Sequence, residues 1–186
     1  NKKLQGASGF LNLSGSLNVE DVFSVDTYTG NASTQSITNG IDLSGEGGLV
    51  WIKWRSGGGL GSSDHALFDT VRGVNNIIYS NATGGQNATG TGSNASLSAF
   101  NSNGFSLGAD NMYGRVNVSG AEQVAWTFRK AKNFFDVVQY SGSGSQQSIA
   151  HNLGQVQLIT QILAHLVLLI LQLKRHLELT MEVALI

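Results

Sequence analysis

An antiparallel β-sandwich or jelly roll is the fold class this sequence predicts, and three observations predict it. Residues 21 to 138 carry short runs of β-forming residues at roughly ten-residue spacing. The runs are separated by Gly and Asn clusters, and with no Pro in the chain every turn has to be built from Gly, Asn, Asp or Ser. Helical periodicity is almost absent from the same region. Many short strands with turn signals between them, and no alternating helices, point to sheets packed on sheets.

The elements follow in order. Residues 1–20, NKKLQGASGFLNLSGSLNVE, are punctuated by Gly and Ser and thin in apolar side chains, which suits an N-terminal arm or an edge strand. GGLVWIKWRS (47–56) is the clearest strand. Leu49 and Trp51 face one way; Val50, Ile52 and Trp54 face the other, so the strand is expected to be central and covered on both sides over part of its length. HALFDT (65–70) and NNIIYS (75–80) form a hairpin about VRGV, with Gly73 in the turn. ATGGQNATGTGSNAS (82–96) is a long polar loop, of a kind that is usually functional or mobile. FNSNGFSLG (100–108) reads as strand, turn, strand, and VAWTFRK (124–130) and FFDVVQY (134–140) close the series as strands.

An internal repeat crosses this pattern. YTGNASTQSI (28–37) returns as YSGSGSQQSI (140–149), 112 residues later, and Phe23 and Val25 match Phe135 and Val137 at the same offset. The expected organisation is therefore an arm at 1–20, a sandwich at 21–136, the start of a second unit at 137–154, and a different segment at 155–186. That last segment holds none of the 24 glycines, and 10 of its 32 residues are Leu. Its apolar run, 156–170, is interrupted by Gln157, Thr160, Gln161 and His165, and falls short of the ~20 apolar residues of a membrane span. Composition favours a helix and the alternation of Leu171, Leu173, Leu177 and Leu179 favours a strand; periodicity does not decide. Either way the Leu-rich face, with Leu166, Leu169, Leu173 and Leu177, is the expected oligomer interface.

Composition excludes several function classes. Charged residues are 12% of the chain, about half the usual share, while Gly, Ser, Asn and Thr supply 72 of 186 residues. A net charge of -1 gathers no nucleic acid. Without Cys there are neither disulfides nor cysteine-based zinc sites. The six Asn-x-Ser/Thr triplets, at Asn12, Asn31, Asn81, Asn87, Asn94 and Asn117, are best read as what a chain this rich in Asn, Ser and Thr contains by chance.

Candidate chemistry is sparse. His65 with Asp64 and Asp69 suggests a hydrolytic set, but Asp64 and Asp69 are an odd number apart and point to opposite faces of a strand. The favoured reading pairs Asp69 with Arg72 across the turn. No pair of acids forms a glycosidase motif, and no phosphate loop, nucleophile elbow or metal-binding helix occurs, so no catalytic residues are expected. Asp42, Glu46, Asp64 and Asp110 lie near loops and are candidate calcium ligands without a spacing that selects a site. Trp51, Trp54 and Trp126 are expected in the core rather than on a sugar-stacking platform. Tyr113, in ADNMYGRVN, with Asn87 and Asn94 of the long loop, are the candidate glycan-binding residues.

VEDVFSVDTYTGNASTQSITNGIDLSGEGGLVWIKWRS, HALFDTVRG, FNSNGFSLG, VAWTFRKAKNFFDVVQYSG and SIAHNLG together resemble a family of phage virion proteins, found especially in marine bacteriophages and labelled tail-fibre or structural proteins. The resemblance covers roughly residues 19 to 154. It implies concanavalin A/laminin-G-like jelly rolls and a non-enzymatic component of the particle exterior, associated with other virion proteins and with host-surface glycans as a further candidate partner. After Gly154 the chain departs from the family pattern, which continues with a Pro-Gly turn and a further strand.

Overall fold

The computed structural model describes residues 17–89, 94–109 and 114–154. A six-stranded sheet runs in the order β1 (Phe23–Thr29), β9 (Ala121–Arg129), β3 (Gly48–Gly57), β4 (Ala66–Asp69), β5 (Asn76–Tyr79) and β6 (Asn87–Ala88). A second sheet orders β2 (Gln35–Thr38), β8 (Gly104–Leu107) and β7 (Leu97–Asn101). All pairings are antiparallel. The protein is an antiparallel β-sandwich.

Period-two alternation explains how the two sheets meet. β9 buries Ala121, Gln123, Ala125 and Thr127 and leaves the residues between them half-exposed. On β3, Gly48, Val50 and Ile52 are buried, while Leu49, Trp51 and Lys53 face outward. Phe68 of β4 and Ile77 of β5 extend the inner face, and Leu97, Phe105 and Leu107 of the smaller sheet press against it. Ile41 and Leu43, in the connection after β2, seal one margin. Each such large side chain, fully buried, contributes about 1.5–3 kcal/mol of transfer free energy.

The β3 strand and the β4–β5 and β7–β8 hairpins fall where the alternation predicts them, with Ala66 opposite Tyr79 and Phe100 opposite Phe105. Two segments differ. The polar loop expected at 82–96 contains the short strand β6, paired with β5 through Asn76↔Ala88 and Ile77↔Asn87. FFDVVQY is not a strand. β9 already has β1 on one side and β3 on the other, so it offers no free edge to the chain that leaves it. The backbone instead turns between Ala131 and Phe135, which form an isolated bridge.

Residues 137–154 carry no strand and are mostly exposed. Their base is closed: Asn152 N–H donates to Asp136 at 2.7 Å, Asn133 N–H to Leu153 O at 2.9 Å, and Lys130 pairs with Asp136 at 3.0 Å. The Asn152 amide, followed by Lys130, holds the Asp136 carboxyl below its usual range. The arm at 1–16 and the Leu-rich segment at 155–186, with Leu166, Leu169, Leu173 and Leu177, lie outside the described residues.

Phe68, with no exposed surface, contacts both sheets' side chains in the core. Phe68→Ala is expected to lower unfolding free energy by about 3–5 kcal/mol in a urea titration, the usual range for a Phe truncated in a packed core.

Candidate functional site

The outer face of the six-stranded sheet carries a row of apolar side chains across five strands. Val25 lies opposite Trp126, Trp126 opposite Trp51, Trp51 opposite Leu67, and Leu67 opposite Ile78. Each is more exposed than, or alternates with, the inward-facing residues beside it, half-buried Ser24 and Asp26 for Val25 and buried residues for the other four, and so all five point away from the core. The Trp51 and Trp126 rings lie 5.3 Å apart and tilted, and His65 sits 5.7 Å from Trp51. Trp51 Nε1–H donates to His65 Nδ1 at 3.3 Å, which makes that nitrogen the unprotonated one.

This corrects the expectation that these tryptophans belong to the core. The inner face is filled by Val50, Ile52 and Ala125, and alternation leaves Trp51 and Trp126 on the other side. Trp54 shares the parity of Val50 and Ile52, but it lies where the register shifts, and its Nε1–H donates to Gly57 O at 3.1 Å. The missed signal was the pairing of two apolar alternations, 49/51 and 124/126/128, on strands that turn out to be neighbours.

One flank of the row is covered. Phe23 and Phe128 approach to 5.0 Å, and Phe135 stacks on Phe128 at 5.2 Å from the chain beyond β9. Val137, Val138 and Tyr140 then border a shallow cleft of about 310 Å³ with Ile78, Val71 and Arg72. Val25 at the other end of the row is 52% exposed, and Trp126, Trp51 and Leu67 between are half-buried.

The acids near His65 are occupied elsewhere. Asp69, 3% exposed, accepts from Val71 N–H at 3.0 Å and Arg72 N–H at 2.9 Å through Oδ1, and its Oδ2 meets the Arg72 guanidinium at 2.5 Å. Arg72 also donates to Leu67 O. The pair holds the β4–β5 turn. Asp64 accepts from Asn81 Nδ2, and Asn81 Oδ1 accepts from His65 N–H. No nucleophile–base–carboxylate chain links these groups.

Among the described residues no three His, Asp or Glu side chains converge on a common point. Asp42 is engaged by Gly45 N–H and the Ser44 hydroxyl, which hold its carboxyl below the usual range. Glu46 is exposed, and Asp110 lies outside the described residues.

A second concavity, about 470 Å³, opens at one end of the sandwich between Ala32, the Gly59–Leu60–Gly61 loop, Arg115 and Val118. Among the described residues its only charged lining group is Arg115. Tyr113 lies outside the described residues. Asn87 is exposed on β6 and Asn94 is exposed before β7, and neither lines this cleft. Behind the cleft is one of the six triplet asparagines, and its burial agrees with reading the triplets as chance. Asn117 has no exposed surface, and its carboxamide is held by four hydrogen bonds within the fold, so it cannot present itself as a glycan acceptor.

The family model described as a domain of unknown function (DUF7483) matches residues 18–164. No curated protein and no solved structure shows significant similarity to the chain.

If Asp69 is a turn-holding residue, removing it leaves the Arg72 guanidinium largely buried without its partner. Asp69→Ala is expected to destabilise the fold by about 3–5 kcal/mol in chemical denaturation, as breaking a buried pair does. A variant as stable as the wild type would remove that role.

Proposed function

We propose that this chain, which belongs to the DUF7483 family, is a non-enzymatic structural protein of a bacteriophage particle, displayed on its exterior as part of a tail fibre or of a capsid or tail decoration, and assembling as an oligomer. The observation that carries assembly is the apolar row Val25–Trp126–Trp51–Leu67–Ile78, bordered at Ile78 by the chain's own Val137, Val138 and Tyr140 and exposed at Val25. A contiguous apolar band on the outside of a small sandwich marks a surface made to be covered by another molecule. Low charge and a surface of hydroxyls and amides suit a protein that packs beside copies of itself. The phage assignment rests on the resemblance of the ordered motifs between residues 19 and 154. The carboxylates nearest His65 are spent on turns and loops, which favours a structural over a hydrolytic role.

A second reading has its own support. Trp51, Trp126 and His65 form an aromatic cluster on an outer face, a surface on which a sugar ring can stack, and the end cleft adds Arg115 as a polar anchor. On this reading the protein is a module for host-surface glycans, with Tyr113, Asn87 and Asn94 as further contacts.

Sedimentation velocity tests the first reading. The wild type is expected to be oligomeric at micromolar concentration. Val25→Glu, placed at a half-exposed position, is expected to shift it towards monomer with the β-type circular dichroism unchanged. A wild type that is monomeric throughout, or a variant that assembles like it, overturns the proposal. A glycan array tests the second. Micromolar binding that Tyr113→Ala or Trp51→Ala abolishes supports the module; silence across the array from a stable oligomer removes it.

A further inference from the structure

The repeat at 140–149 reproduces the conformation of 28–37 as well as its residues. Ala32 takes a left-handed φ of 53°, and its counterpart Gly144 takes 74°. Asn31 Oδ1 accepts from Ser33 N–H at 2.8 Å; Ser143 Oγ, at the matching position, accepts from Ser145 N–H at 3.4 Å. Gln35 Nε2 donates to Thr29 O at 3.3 Å, and Gln147 Nε2 donates to Ser141 O at 3.1 Å. The connecting turn between β1 and β2 therefore exists twice in the chain.

Among the described residues only the first copy has something to sit in. Tyr28 OH donates to Val116 O at 2.7 Å, Gln35 Nε2 to Asn117 Oδ1 at 2.5 Å, and the Ser36 and Ser106 hydroxyls meet at 2.9 Å. Ser33 O accepts from Asn117 Nδ2, and Ile37 packs against the core. Gly30 has to be glycine, because a Cβ there would meet Val118 O at 2.2 Å. The six residues preserved in the repeat, Tyr140, Gly142, Ser145, Gln147, Ser148 and Ile149, are the counterparts of the six that make these contacts. In their own surroundings they have no such use. Tyr140 is 65% exposed, Ile149 is 39% exposed, and a Cβ on Gly142 would meet nothing within 4 Å.

We propose that residues 135–149 are a second β1–β2 arm that enters another copy of this chain, laying 135–141 beside its β9 and 147–149 beside its β8 in place of that copy's residues 23–37. Both strands to be replaced lie at sheet edges, each paired with a single neighbour, so they can leave without any other strand pairing being broken, while the incoming arm gives up its Ala131–Phe135 bridge and the bonds of Asp136 to Lys130 and Asn152. The register carries over: Phe135 comes opposite Phe128, Val137 opposite Trp126, and Ser141 opposite Glu122. The aromatic and apolar contacts of the outer face replace like with like, and exchange of a near-identical element is a low-cost route to association. A copy's own arm holds an advantage of effective concentration on the order of millimolar, so exchange belongs to closely packed copies or to chains whose own arm is weakened.

Gly30→Val in the full chain weakens that arm at the point where no side chain fits. It is expected to give a species larger than that of the wild type at the same concentration by sedimentation, with wild-type β-type circular dichroism. Gly30→Val combined with Gly142→Val bars both arms and is expected to lose that species and part of the β signal. If the single and double variants behave alike, whether unfolded, monomeric or assembled, the proposal fails. A second readout uses the absence of native Cys. In the Gly30→Val background, Glu122→Cys with Ser141→Cys is expected to form a disulfide between chains; a disulfide within one chain, or none, overturns the exchange. The scoring position, Gly142, is distinct from Val25, so this result and that of the outer-face substitution are read separately.

Discussion

The Asn117 carboxamide is the interaction on which the end of the sandwich depends. Its oxygen accepts from Asn31 N–H at 3.0 Å and from Gln35 Nε2, and its nitrogen donates to Ser33 O and to Gly108 O at 2.6 Å. Every donor and acceptor of a fully buried amide is thus used, the state in which such a group rigidifies its surroundings instead of costing desolvation. The bonds join the β1–β2 turn, the exit from β8 and the approach to β9 at a single side chain. Ala32 N–H adds a bond to Asn117 O, and Gly30 exchanges backbone bonds with Ala121 and Gly120. The first and last strands of the described residues, β1 and β9, are therefore locked side by side, and the cleft at that end takes its shape from the same knot.

That lock constrains the chain beyond β9. A strand flanked on both sides by neighbours offers the next segment no edge, so the backbone after Arg129 has to leave the sheet. It does so over the outer face, where Phe135 finds the Phe128 ring. The partial cover of the apolar row and the exposure of the second YxG turn are thus two results of one topological fact. A surface partly covered by its own chain, beside a second turn that joins no sheet among the described residues, suits a chain that finishes its packing against another molecule.

Much of this architecture is legible in the residues alone. β3, the β4–β5 hairpin and the β7–β8 hairpin rest on alternation bounded by local turn residues, and local rules suffice for them. The Asp69–Arg72 pair is legible for the same reason, since its members are three residues apart. FFDVVQY alternates as well as any strand, yet alternation describes a residue pattern and not the availability of an edge. The tryptophans are misplaced by sequence reasoning because apolar bulk identifies a face without saying which face the second sheet covers. Asn117 is invisible as a keystone: its side-chain partners Asn31, Ser33 and Gln35 lie 86, 84 and 82 residues away, and only the fold brings them to it.

The two arms are not equivalent, and the difference decides when each is used. Asp26 faces inward on β1 and accepts from Ser24 Oγ and Asn39 Nδ2, both at 2.9 Å. An inward charge on an edge strand discourages unwanted pairing and is tolerated because it is hydrogen-bonded. At the matching place the second arm carries Val138, and its carboxylate sits two positions earlier, at Asp136. Thr127 Oγ1 remains as a partner for Asn39, so the amide is not stranded when Asp26 leaves. The polar fit is nevertheless worse for the second arm, while Phe135, Val137 and Tyr140 keep the apolar and aromatic fit intact. A chain's own arm consequently wins in dilute solution, and the second arm gains its place only where neighbouring copies raise its local concentration. Exchange is then a consequence of crowding on an assembled surface, not a competitor to folding.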